Sequence, residues 1–310
     1  MGITPQHNMW QCGPIALRHA LLTLGVYADD RDIAAIAGTT RLGTDEEQMA
    51  RAARAYDCEL HFERFHRPAE ALRALAARLR RGTPVLLPVH NWAHWIVAVK
   101  VERGRFIVMD SEQEAVLTIL DARQLQRRWV YRQRPAHGVT QPPIYDLHPL
   151  VPRFRATIRT KFSLARARFL RRPENRSLSE LWDEYAADLS HLCRPRTPLS
   201  ENVLSMGEFL RRHEALIVDE VAYWHGVVEK RKVERVLRNM HFVADTLGMV
   251  IHLESENRAI AGISAILALW AASHEGVLPV YASSDRGLSP GLQRRHRLAA
   301  LRRRRARHRR

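Results

Sequence analysis

Residues 94–110 constrain the fold of this chain more than any other stretch. His94–Val101 is apolar and β-branched, and Arg-Phe-Ile-Val-Met-Asp at 105–110 repeats the character, so the two read as neighbouring buried strands. Between them lies Glu102-Arg103-Gly104. A three-residue hairpin loop ending in a left-handed glycine is a favoured connection. It pairs Val101 with Arg105 and therefore Ile96 with Asp110. His94 and Asp110 then share a face, on a diagonal within reach of both side chains. A two-residue loop would shift the register by one and part them. The sequence favours the register that joins a histidine to a carboxylate.

A second constraint stands near the start of the chain. Cys12-Gly13-Pro14-Ile15-Ala16-Leu17 reads as a turn feeding into a helix, with Pro14 tolerated in the first turn. Leu17, Ala20, Leu21 and Leu24 repeat at helical spacing, and Gly25 ends the run. A thiol there faces unpaired N–H groups and the positive end of the macrodipole, both of which stabilise negative charge on sulfur. Gln6 precedes it with a side-chain amide able to donate to an oxyanion. Cys12 as nucleophile, His94 as base, Asp110 as the group that orients the base and Gln6 as donor form one consistent set.

The order Gln6, Cys12-Gly13-Pro14, Gly82-Thr83-Pro84-Val85, His94 with Ile-Val-Ala-Val after it, and Val108-Met109-Asp110 resembles the double-glycine leader peptidases. These are papain-like cysteine peptidase domains of bacteriocin-exporting ABC transporters. Leu120-Asp121-Ala122 to Trp129 is similar to that family's closing helix. The resemblance covers residues 1–135. It implies an α+β papain-like domain, a peptide or protein substrate, Cys12 as nucleophile, His94 as general base, Asp110 as its orienter and Gln6 as oxyanion donor. The chain departs from the family at Gln11, where an acidic residue is frequent, and at Ser111, where proline is usual. The same apparatus also serves other thiol acyltransferases and amidases. A non-catalytic peptide-binding scaffold is the alternative from another class.

Rivals exist for each role. His90 lies four residues before His94 but precedes Asn91-Trp92, outside the strand; Gln11 adjoins the nucleophile and is poorly placed to face the same oxygen. Cys58 and Cys193 lack such partners and read as structural. Three unevenly spaced cysteines argue against both a disulfide framework and a zinc site. No cofactor is called for. With no basic region leading into an apolar stretch at the N-terminus, a cytoplasmic, reducing compartment is expected.

The formal charge is +16, and eleven arginines beyond residue 285, with no acid among them, supply most of it. This tail, 286–310, is expected to be disordered and able to bind nucleic acid or an acidic partner. The scarcity of lysine elsewhere also fits codon bias. Proline-bearing residues 136–150 are expected to be a linker, and 151–285 an all-helical domain able to serve oligomerisation. Within it, 153–172 carries Arg153, Arg155, Arg159, Lys161, Arg166, Arg168, Arg171 and Arg172 with no acid, beside an apolar repeat of Phe154, Ile158, Phe162 and Ala165, as in an amphipathic helix. A long helical pattern over 208–247, broken at Gly226, places His225/Glu229 and His241/Asp245 four apart. On one continuous helix the two pairs would face opposite ways, so solvated faces are expected rather than a metal site. Residues 259–272 are apolar all round, too short to span a bilayer, and are expected to be a buried central helix.

Overall fold

In the computed structural model, the described residues are 5–6, 8–26, 28–113, 116–133, 141–154, 160–172, 203–226, 228–253 and 256–275. Cys193, the middle of the 153–172 segment and the arginine tail lie outside them.

Three helices open the chain: α1 (Cys12–Thr23), α2 (Asp30–Ala37) and α3 (Glu46–Ala55). α1 is buried along its whole length, as its apolar repeat requires. Asp29 caps α2, and Asp45 with Gln48 forms a reciprocal capping box on α3. Short strands β1 (Cys58–Leu60) and β2 (Glu63–Phe65) follow, then α4 (Pro68–Arg80), β3 (Val85–Val89), β4 (His94–Glu102), β5 (Arg105–Met109), β6 (Leu117–Asp121), α5 (Ala122–Trp129) and β7 (Tyr145–Pro152). The seven strands make one antiparallel sheet in the order β1-β7-β3-β4-β5-β6, with β2 also pairing β7. Alternate residues of the central strands, including Leu87, Ile96 and Val108, pack with Leu75 and Leu79 of α4 and Leu125 and Trp129 of α5 in one apolar core. α1 packs against β4 and β3.

Two expectations are corrected. Residues 145–150 of the expected linker, with 151–152 of the expected helical domain, form an internal strand instead: β7 pairs with β3 on one side and with β1 and β2 on the other. Pro149 and Pro152 hid it, since proline interrupts a ladder. Here Pro149 lies opposite Val85 near one end of the β3–β7 pairing, and Pro152 is the last strand residue.

The hairpin differs too. Glu102 pairs with Arg105 across a two-residue loop, in which Arg103 (φ 49°) and Gly104 (φ 70°) are both left-handed, as a type I′ turn demands. A bulge between Ala98 and Lys100 then adds back one residue, and Val97 pairs with Met109. Loop and bulge cancel, so Ile96 still lines up with Asp110.

The chain divides into two compact units, Met1–Phe209 with Met240–Ser255, and Leu210–Asn239 with Glu256–Arg310. The division falls away from 136–150. The first unit also holds α6 (Leu164–Leu170), capped by Ser163, and the strand pair β8 (Val203–Ser205) and β9 (Val250–His252), so residues 151–285 are not all helical. Residues 160–163 precede α6 as coil, and the basic segment is helical only over Leu164–Leu170 among the described residues.

Helices α7 (Met206–His225) and α8 (Lys230–Leu247) are separated at Gly226, which has φ 72°, as expected. His225 Nδ1 accepts the Val228 N–H at 3.0 Å. Asp245 is held by Lys161 at 3.0 Å, with Arg166 and His241 each at 3.8 Å. In the second unit, α9 (Glu256–Glu275) buries Ala259, Ile263, Ser264, Leu267 and Ala271 among its described side chains and leaves Leu269 71% exposed. The segment that is apolar all round is thus buried on one face. Among the described residues no helix is long and apolar enough to cross a membrane.

Candidate active site

Gly13 sets the position of the α1 N-terminus. A Cβ there would lie 2.8 Å from Thr44 Cβ, so only glycine lets the first turn of α1 press against the segment that leads into α3. No side chain caps α1, and Pro14 has no N–H to give. The first-turn N–H groups are left facing the Cys12 side of the helix, which is where a developing oxyanion would be stabilised. Cys12 is buried, at 5% exposure.

β4 carries His94 at its first residue, and Asp110 directly follows β5. The register described above brings them together: His94 Nε2 and Asp110 Oδ1 are 2.8 Å apart, both buried. The Cys12 side chain lies near enough to the His94 ring to raise its pKa, and with Nε2 taken by Asp110 the ring nitrogen left to Cys12 is Nδ1. Burial pulls the His94 pKa down, but the hydrogen bonds to Asp110 and Cys12, with the negative charge on both partners, outweigh it and lift it to about 9. Burial likewise raises Asp110, and is outweighed by its bond to His94, the His94 charge, the Glu112 N–H and Arg128, so its pKa falls below the usual value. The arrangement favours a protonated imidazole against an ionised Asp110.

Two residues to which the sequence reading gave no role complete the site. Arg128, in the last turn of α5, reaches Asp110 Oδ2 at 3.2 Å, so each carboxylate oxygen has its own cationic or polar partner. Ser111 donates its hydroxyl to Gln6 Oε1 at 3.0 Å, while its carbonyl accepts the Gln6 N–H at 2.8 Å. With Oε1 engaged, the Gln6 Nε2 donor is the free end of that amide. The departure from the family's proline at 111 was visible in the sequence; its contact with a residue 105 positions away was not.

The rivals fall elsewhere. His90 is exposed, in a turn whose residues His90, Asn91 and Trp92 all have positive φ (57°, 56° and 66°). That turn is pinned by the His90 N–H to Arg128 O at 2.8 Å, the Arg132 N–H to Asn91 Oδ1 at 3.2 Å, and Trp92 stacked 3.8 Å from Tyr131. Gln11 Oε1 is buried without a partner. Cys58 is fully buried, and burial, helped by Asp57, pushes its thiol up to about 12. Among the described residues, His94, Asp110 and Glu112 present ligand atoms within 4.8 Å of one another. The direct His94–Asp110 hydrogen bond occupies the space an ion would need.

No protein-family model matches the chain, and no curated protein matches it. Among solved structures it is similar to the peptidase domain of Streptococcus ComA, a bifunctional ABC transporter involved in a quorum-sensing pathway. The identity is 16% and the TM-score 0.36, over 48% of this chain and 96% of that one. It is similar as well to a double-glycine-motif protease from an AMS/PCAT transporter, solved with its leader peptide (17% identity, TM-score 0.35, 47% and 89% coverage). A third likeness is to the peptidase domain of Streptococcus mutans ComA (16%, 0.30, 49% and 100%).

Proposed function

We propose that this protein is a cysteine peptidase that cleaves a peptide or protein substrate through a Cys12–His94–Asp110 set, with Gln6 as oxyanion donor. The observation that carries the reading is the buried His94–Asp110 hydrogen bond of 2.8 Å, made on a ring whose ionisation Cys12 at the start of α1 also influences. Cys12 Sγ attacks the substrate carbonyl carbon, and the oxyanion is met by Gln6 Nε2 and the N–H groups at the start of α1. The carbon–nitrogen bond breaks as His94 Nδ1 gives its proton to the leaving amine. Neutral His94 then takes a proton from water, whose oxygen attacks the thioester and returns Cys12 as thiolate. Asp110 keeps the ring in the tautomer and orientation this exchange needs, and Arg128 holds Asp110.

The test is digestion of a defined peptide library by the full chain, with products identified by mass spectrometry. Wild-type protein should cut a restricted set of bonds, Cys12→Ala none, and His94→Ala at most a trace. Cleavage that survives Cys12→Ala, or an inert wild-type protein whose Cys12 resists iodoacetamide, would overturn the proposal.

A further inference from the structure

A cavity of about 370 Å³ opens at the end of the sheet that carries His94. Its walls are Pro88 at the end of β3, Trp92 in the turn before His94, Trp95 immediately after it, and Thr44, whose side chain abuts Gly13 next to the nucleophile. The cavity thus lies at the α3 N-terminus, one residue along the chain from His94 at Trp95 and one side-chain contact from the start of α1 at Thr44, while Ser111 follows Asp110 and holds Gln6.

Its chemistry is that of an acceptor. Arg64 enters it but is neutralised by a two-pronged bond to buried Asp146 at 2.7 and 2.8 Å, and rests against Phe62 and Trp92. Asp45 and Glu46 also line it, and neither has an ion-pair partner among the described residues. The field of Glu46 reaches both Arg64 and His148. His148 lines the same cavity at 3% exposure, with the Trp95 ring at 5.1 Å and Phe62 at 5.4 Å, and no hydrogen bond to either ring nitrogen among the described residues. Burial holds its pKa down to about 4, so it is neutral and offers a lone pair. A buried polar ring without a partner, open to a cavity, marks a place where a ligand atom completes the bonding.

We propose that this cavity is a specificity subsite that receives a cationic side chain, arginine or lysine, of the peptide substrate. A guanidinium or ammonium brings only donors, which suits two carboxylates and a neutral imidazole. Its alkyl stem lies along Trp95 and Pro88. Glu46, and Asp45 whose Oδ1 also accepts the Gln48 N–H at 2.8 Å, add negative charge beyond the matched Arg64–Asp146 pair, so a substrate carboxylate is repelled. The inference rests on the peptidase reading for what the bound peptide is, but the subsite is defined by binding.

The test uses the full chain with Cys12→Ser and fluorescent hexa-alanine peptides carrying one Arg, Lys, Leu or Glu at each position in turn, read by anisotropy. At one position Arg and Lys should bind about tenfold more tightly than Leu, the scale of one or two partly exposed charge contacts, and Glu least. Glu46→Gln should shrink the Arg-to-Leu ratio severalfold. In the unmutated pocket, raising salt from low to high should weaken the Arg peptide and leave the Leu peptide alone. Equal binding of Arg, Leu and Glu peptides, or an Arg preference indifferent to both salt and Glu46, overturns the subsite. A Cys12 inert to iodoacetamide beside a salt-sensitive Arg preference overturns the peptidase reading and leaves the subsite standing.

Discussion

Ser111→Ala isolates one hydrogen bond in the proposed oxyanion site. Ser111 Oγ donates to Gln6 Oε1 at 3.0 Å, while the Gln6 N–H is tied independently to the Ser111 carbonyl at 2.8 Å. Removing the hydroxyl therefore leaves the segment anchored and frees only the rotation of the amide. A neutral hydrogen bond of this kind contributes roughly 0.5–1.5 kcal/mol, so the expected loss in kcat/KM is roughly 2- to 12-fold. The upper bound is set by Gln6→Ala, which deletes the donor and should lower the rate by roughly 10²–10³-fold. Peptide turnover and the alkylation of Cys12 by iodoacetamide are measured side by side. Alkylation develops no oxyanion, so it should be unchanged in both variants. Ser111→Thr keeps a hydroxyl and should restore turnover to within about twofold of wild type. The reasoning is refuted if Ser111→Ala costs as much as Gln6→Ala, or if alkylation falls in step with turnover, since either would mean that Ser111 supports the fold of the site rather than the aim of one amide.

Iodoacetamide at pH 6, followed by peptide mapping, should label Cys12 well before Cys58, whose thiol burial raises to about 12; equal labelling would remove the support for an activated Cys12. Turnover should decline as pH rises through about 9, where His94 gives up the proton that the proposed mechanism passes to the leaving amine. Stability follows the same ionisation: the folded His94 pKa lies above the unfolded value of 6.5, so its contribution is full below pH 6.5 and is lost as pH rises through about 9. His148 acts in the opposite sense. Its folded pKa of about 4 lies below 6.5, so stability falls by about 3 kcal/mol as pH drops from 6.5 through 4, in addition to other acid-labile terms; urea midpoints across pH 3–10 check both slopes. Gly13→Ala forces a Cβ to within 2.8 Å of Thr44 Cβ and should cost ~1–3 kcal/mol by overpacking, with a larger loss of turnover than of stability because it displaces the turn that holds Cys12.

Legibility in the sequence followed the range of the physics. α1, β4 and β5 were readable because their apolar periodicity is local to each segment. β7 was not, because two prolines mask a strand whose partners are residues 58–65 and 85–86. The His94–Asp110 pairing was anticipated by a loop length the hairpin does not use. Loop length alone fixes register only in a ladder without bulges, and here a tighter turn and a bulge at Val99 offset each other. The roles of Arg128 and Ser111 were hidden for a different reason. Each acts on a partner whose proximity exists only once the sheet is assembled.

The turn that delivers His94 poses the sharpest local question. His90, Asn91 and Trp92 are consecutive left-handed residues without a glycine among them, a conformation that costs each ordinary residue about 1–2 kcal/mol. Asn91 is the best suited of the three, since asparagine tolerates this region, and its Oδ1 also accepts the Arg132 N–H at 3.2 Å. Asn91→Gly gives up that exposed hydrogen bond but relieves the backbone; Asn91→Ala gives up the bond and adds strain. Asn91→Ala should therefore be less stable than Asn91→Gly by about 1 kcal/mol in urea denaturation, although alanine is the residue that ordinarily stabilises a chain relative to glycine. If the turn also aims the His94 ring, Asn91→Ala should lower kcat with little change in KM, and Asn91→Gly should lie between it and wild type. An alanine variant as stable as the glycine variant would show that the left-handed run is not under strain. Equal turnover in all three would show that β4 and Asp110 hold His94 without help from the turn.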